Sequence, residues 1–143
     1  MDLLDVNILL GAYFADTPDH ERVHSWLVQA LERESPLGLS DNILSGFLRI
    51  STLPRAFKVT SDMEAALNFI RSLLNHASVE RVRPGPRHLC IFLELCGQPG
   101  VRGNLVPDAY LAALALETNC RFVTRDRGFA RFKGLRLHDP LAD

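Results

Sequence analysis

Short apolar runs along the chain alternate with stretches in which apolar residues recur every three or four positions. That alternation predicts an α/β domain with a parallel sheet. Leu3-Leu4 forms a first strand leading to Asp5, and Asn7-Ile8-Leu9-Leu10 begins a helix. Thr17-Pro18 marks the next helix start, a capping hydroxyl before a proline at the first helical position. Val23, Trp26, Leu27, Ala30 and Leu31 continue that helix over residues 18–33. Leu37-Gly38-Leu39 is a second strand, after which Ser40 caps a helix with Ile43, Leu44, Phe47 and Leu48 on its core face. Ser61 and Glu64 form a capping box ahead of Ala66, Phe69, Ile70, Leu73 and Leu74. Residues 79–82 make a third strand, and a helix over 86–96 follows, with Leu89, Phe92 and Cys96 on one stripe. Beyond a loop at 98–104, Pro107 opens a helix whose alanines at 109, 112, 113 and 115 permit close approach to a sheet. Arg121-Phe122-Val123-Thr124 is a strand, residues 128–132 a short helical piece and 134–137 an edge strand. Five strands and about seven helices result, in a single domain over residues 1–143.

Composition narrows the function classes. The 143 residues are 47% hydrophobic and 23% charged, which provides a core and excludes wholesale disorder. A formal net charge of -1 excludes a globally basic nucleic-acid binder, so function must reside in local sites. No stretch approaches the roughly 18 uninterrupted apolar residues of a membrane span, and the amino terminus lacks the basic segment of a secretory signal. Cys90, Cys96 and Cys120 show no CxxC spacing and read as buried, reduced thiols of a cytoplasmic protein.

Three acidic residues occupy strand ends or a first helical turn. Asp5 closes the first strand, Asp126 lies two positions past Thr124, and Asp108 precedes Leu111, Ala112 and Ala115 at i+3, i+4 and i+7. In open α/β sheets the ligand crevice lies outside the carboxyl ends of the strands, where all three could meet. Converging carboxylates stay ionised together only beside a cation, and an all-oxygen set favours Mg²⁺ or Mn²⁺ over zinc. Such a site suits phosphodiester hydrolysis. Each residue also has an ordinary reading: Asp108 complementing a helix dipole, Asp126 capping the short helix after it, Asp5 serving a turn.

Several segments in order resemble those of a PIN-domain ribonuclease, specifically a VapC-type toxin of a bacterial toxin–antitoxin pair. They are Leu4-Asp5-Val6-Asn7-Ile8-Leu9-Leu10, Ser45-Gly46-Phe47-Leu48-Arg49-Ile50-Ser51-Thr52, Asn104-Leu105-Val106-Pro107-Asp108-Ala109 and Thr124-Arg125-Asp126-Arg127-Gly128-Phe129. The resemblance implies a five-stranded parallel sheet of order 3-2-1-4-5 between helices. It implies an endoribonuclease that depends on Mg²⁺, with Mn²⁺ able to substitute, and leaves a 5′-phosphate and a 3′-hydroxyl. Asp5, Asp108 and Asp126 match the family's acidic cluster, and Asn7 and Thr124 its supporting polar positions. A cognate VapB-type antitoxin seated on helices near 18–52 and a homodimer are implied as well.

One position departs from the pattern. Many family members carry a glutamate two residues before the Leu-Arg of the third helix, and here Gly46 stands there. A helical glycine costs about 1 kcal/mol relative to alanine, so Gly46 marks either a close approach or a lost ligand. Asp41 faces elsewhere on that helix, whereas Asn42 lies one turn before Gly46 on the same stripe. The departure keeps a second function class open, a catalytically silent PIN-like module that binds RNA or protein.

His20-Glu21-Arg22-Val23-His24 is a literal HExxH, the zincin signature. It lacks a downstream third ligand of the metzincin kind and falls in the first turns of its helix, so surface or partner contacts are the preferred role. Residues 121–136 carry Arg121, Arg125, Arg127, Arg131, Lys133 and Arg136 against Asp126 alone, a flank able to hold an RNA backbone. Arg125 and Arg127 bracket Asp126, and Arg49 follows Gly46 by three residues, able to enter the site or meet an antitoxin. Tyr13, Phe14 and Trp26 serve either core packing or, if exposed, stacking on a base or a partner helix.

Overall fold

The computed structural model describes residues 1–54 and 56–142. Five strands, β1 (Asp2–Leu4), β2 (Leu37–Ser40), β3 (Val79–Val82), β4 (Arg121–Val123) and β5 (Arg136–His138), form one parallel sheet in the order β3-β2-β1-β4-β5. Six α-helices accompany it: α1 (Val6–Tyr13), α2 (His20–Leu31), α3 (Asp41–Ser51), α4 (Met63–Leu74), α5 (His88–Cys96) and α6 (Leu105–Glu117). The predicted seventh helix is a 3-10 turn at Arg127–Arg131.

Side chains alternate across a strand, so neighbours enter different layers. Leu4 and Val123 join the core beneath α1, α2, α3 and α4, with Ile8, Trp26, Ile43, Phe47 and Ile70. Leu3 and Phe122 join the opposite core, with Leu95, Leu114 and the alanines of α6. With both faces covered, the central strands read as continuous apolar runs. Gly38 is required by a close approach, since a Cβ there would stand 2.6 Å from Val82 Cγ2.

The register positions the site. Leu3 pairs with Phe122 and Leu4 with Val123, and the Asp5 amide donates to Val123 O at 2.9 Å. Asp5 and Thr124 therefore leave adjacent strands side by side. This is also where the strand order reverses, the switch point at which open α/β sheets form a crevice.

Several local expectations are corrected. Helix α2 begins at His20 after Asp19, whose φ is 64°, and the Thr17 hydroxyl lies outside it and donates to Phe14 O at 2.7 Å. Helix α4 is capped by Asp62, whose Oδ1 accepts from Ala65 N at 2.7 Å, while Ser61 bonds Tyr13. On α5 the buried residues are His88 and Leu95, and Leu89 is exposed; the His88 ring reaches Tyr110 O at 2.9 Å and is held under α6. The edge strand starts at Arg136. Cys120 alone is fully buried, with Cys96 intermediate and Cys90 exposed, and all three are free thiols. Phe14 and Trp26 are buried and Tyr13 packs against Phe14, Phe47 and Phe69, so core packing is their role. Among the described residues no helix is long and apolar enough to cross a membrane.

Candidate active site

A cavity of about 290 Å³ opens at the carboxyl ends of β1 and β4, with Asp5, Asn7, Asn42, Gly46, Arg49, Asp108 and Asp126 on its walls. All three predicted carboxylates thus share one space, brought from the end of β1, the first turn of α6 and the loop after β4. Asp41 lies elsewhere, paired with Arg81 at 2.6 Å.

Asp5 is built in most firmly. It caps α1, with Oδ1 accepting from Val6 N at 2.7 Å, and Oδ2 accepts from Asn7 Nδ2 at 2.9 Å and Thr124 Oγ1 at 2.6 Å. A carboxylate has about four acceptor sites, so one lone pair on Oδ1 stays open. The Thr124 hydroxyl also accepts from Asn7 Nδ2 and from Asp126 N, both at 3.0 Å. Asn7 Oδ1 in turn accepts from Arg125 N at 3.3 Å. One network therefore ties the end of β1 to the loop after β4. Asp126 caps the 3-10 turn through Oδ1, which accepts from Gly128 N at 2.7 Å, leaving Oδ2. Asp108 makes no hydrogen bond among the described residues and lines the cavity with both oxygens uncommitted.

Burial pushes the Asp5 carboxyl above its ordinary range; the Thr124 and Val6 hydrogen bonds oppose this, and Asp108 and Asp126 add to it. Asp108 is raised likewise, first by burial and then by Asp126, while Arg131 opposes. Three carboxylates on one cavity, with no histidine or cysteine on the walls, form an oxygen donor set of the kind that suits Mg²⁺ or Mn²⁺. Among the described residues no three His, Cys, Asp or Glu side chains close on a common point as they stand.

Gly46 faces this cavity, and a Cβ there would meet only Val6 Cγ2, at 3.8 Å. Close approach is therefore not its reason, and the wall position simply carries no ligand. Gly46→Ala is expected to stabilise the protein by about 0.4–1 kcal/mol, readable as a raised midpoint in urea; an unchanged or lower midpoint would contradict the open wall.

The basic residues divide. Arg49 lines the acidic cavity, and Arg127 lines a neighbouring one. Arg125 pairs with Asp19 at 3.0 Å, a restraint invisible in the local sequence. Arg131 was not singled out by sequence, yet the 3-10 turn returns it towards Asp108. Of the HExxH motif, His20 holds Gly11 O through Nδ1 at 2.9 Å and His24 is exposed, with their ring centroids 5.6 Å apart. The pair stands on α2, outside the acidic cavity.

The family model described as "PIN domain" matches residues 3–135. The chain belongs to the PIN-domain family. Within it, the chain is 39% identical over 138 residues to VapC ribonuclease Mb2897 of Mycobacterium bovis, spanning 96% of this chain and 94% of that one. It is 37% identical over 142 residues to ribonuclease VapC31 of Mycobacterium tuberculosis, spanning 99% and 100%. The PIN fold is shared with VapBC2 of Rickettsia felis bound to a promoter DNA fragment, at a TM-score of 0.70 and 20% identity over 96% of each chain. It is shared too with VapC20 of Mycobacterium tuberculosis, a toxin that cleaves the sarcin–ricin loop, at a TM-score of 0.66 and 13% identity over 92% and 94%.

Proposed function

We propose that this PIN-domain protein is a metal-dependent endoribonuclease, the toxin of a type II toxin–antitoxin pair, which hydrolyses RNA phosphodiesters to inhibit growth. The observation that carries the reading is the convergence of Asp5, Asp108 and Asp126 on one cavity in a chain whose relatives are named VapC ribonucleases. Those three carboxylates would hold Mg²⁺, with Mn²⁺ able to substitute. A bound divalent ion supplies positive charge to a phosphate and makes a water more acidic.

The chain's own residues do the rest. Asn7 and Thr124 fix the rotamer of Asp5, and the Thr124 hydrogen bond lowers the cost of its negative charge. Arg49 offers donors to a phosphodiester from the wall of the same cavity, and Arg127 extends the positive flank along the strand. Arg125 acts through its backbone, since its amide fixes Asn7 and its guanidinium is held by Asp19. A VapB-type antitoxin is the proposed partner, as in the VapBC assemblies that share this fold, and a homodimer the proposed assembly. Exposed Leu53 and Val59 between α3 and α4, with Met63 at the start of α4, supply apolar surface for one of these.

A second reading, the silent RNA- or protein-binding module, is favoured by Gly46 alone. Total RNA incubated with protein in EDTA, then with Mg²⁺ or Mn²⁺ restored, separates the two. Cutting should appear only with the ion; RNA binding that is identical in EDTA and never followed by cutting supports the silent module. The same ions should stabilise the fold. Asp5 and Asp108 have folded-state pKa values above ordinary, so their ionisation costs stability as pH rises through the carboxylate range. Mg²⁺ should therefore stabilise the fold at neutral pH by about 2.7 kcal/mol at a hundredfold excess over Kd, read as a raised melting temperature, and lose that effect towards pH 4.

A further inference from the structure

A second cavity, of about 340 Å³, adjoins the acidic one, and Asp126 stands on the wall of both. Its other walls combine Ala130, Leu137 and Ala142 with Thr124, Arg125, Arg127 and Asp139. Apolar surface with a few convergent polar groups is the composition of a small-ligand site, and the volume falls in that range. Asp139 and Ala142, beyond the end of β5, complete it.

We propose that this second cavity is a nucleobase subsite that seats a guanine beside the phosphate cut at Asp126. The inference rests on the reading of the acidic cavity as a phosphodiester-cleaving site. A nucleotide carries its base one sugar away from its phosphate, so a strand held at one side of Asp126 brings a neighbouring base to the other. Leu137, Ala130 and Ala142 offer apolar contact to the base, and a guanidinium such as that of Arg127 stacks on a base plane or donates to guanine O6 and N7.

Asp139 supplies the discrimination. Its Oδ1 accepts from Leu141 N at 2.9 Å, which fixes the carboxylate and leaves Oδ2 for a ligand. An ionised carboxylate only accepts, so it selects an edge with adjacent donors. Guanine presents N1–H and N2–H side by side, whereas adenine and cytosine set one amine next to an acceptor and uracil offers a single N–H.

The test is cleavage of a randomised single-stranded RNA pool with Mg²⁺, sequencing the new ends made by the parent protein, Asp139→Asn and Ala130→Trp. Guanine should be enriched about tenfold at one position flanking the cut, the discrimination expected of a good bidentate contact. Asp139→Asn, which keeps the acceptor for Leu141, should flatten that enrichment. Ala130→Trp, at an exposed position, should fill the cavity and lower cleavage at least tenfold while Mn²⁺ affinity stays at the parent value. Cutting without guanine enrichment, or enrichment that survives Asp139→Asn, overturns the subsite and leaves the nuclease standing. A parent protein that cuts nothing with either Mg²⁺ or Mn²⁺ brings down the nuclease reading and the subsite together.

Discussion

Asp108→Asn protein should melt cooperatively at or above the parent temperature in EDTA, yet leave RNA uncut and cells growing. The two halves of that expectation have separate causes. Asp5 and Asp126 each cap a helical segment, so replacing either confounds chemistry with folding. Asp108 accepts no hydrogen bond among the described residues, and its charge is disfavoured by burial and by Asp126. Removing that charge relieves the fold. The loss of cleavage should reach at least about a hundredfold, the upper range for loss of mere outer-shell support to a metal, and Mg²⁺ should no longer raise the melting temperature. Full cleavage by a well-folded Asp108→Asn would contradict the assignment.

Thr124→Val should cost about 3 kcal/mol and also shift the pH dependence of cleavage. Valine keeps the shape and deletes one hydroxyl that donates to Asp5 and accepts from Asn7 and Asp126 N. A hydrogen bond to a charged group contributes about 1.5–3 kcal/mol, and a buried donor left without a partner adds its own penalty. The Thr124 hydrogen bond also holds the Asp5 carboxyl down against burial. Without it Asp5 rises further, so the acid limb of the rate profile should move to higher pH. Destabilisation alone would lower activity without moving that limb, and Thr124→Ser should restore both. A limb unmoved in Thr124→Val would reduce Thr124 to a packing residue.

Much of this arrangement was readable from the residues in order. Leu37-Gly38-Leu39 became a strand because central strands of a covered parallel sheet are apolar runs, whereas the edge strand β3 keeps Glu80 and Arg81 exposed between Val79 and Val82; Ser40 caps α3 with its hydroxyl 3.3 Å from Ile43 N. Asp5, Asp108 and Asp126 reach one cavity because strand ends and a helix start are fixed by local pattern and parallel topology. The ordinary reading of Asp126 holds at once, since it caps the turn after it, whereas Asp5 caps α1 rather than serving a turn.

What escaped the sequence depends on distant partners. Arg125 looked like a strand-gripping cation, but Asp19 claims it across 106 positions of sequence. Nothing local reveals that the left-handed Asp19 delays α2 to His20, or that His88 is buried and Leu89 exposed on α5. Asp139 gained significance only when the end of the chain was seen to wall a cavity beside Asp126. Gly46 was ambiguous until the space around it proved open.

Anomalous diffraction from a crystal soaked in Mn²⁺ tests the acidic cavity most directly. A single strong peak should lie between Asp5, Asp108 and Asp126, within about 2.0–2.6 Å of a carboxylate oxygen from at least two of them, and vanish in Asp108→Asn. A peak at His20 and His24, or none inside the cavity at saturating ion, would contradict a divalent-ion site built from the three aspartates.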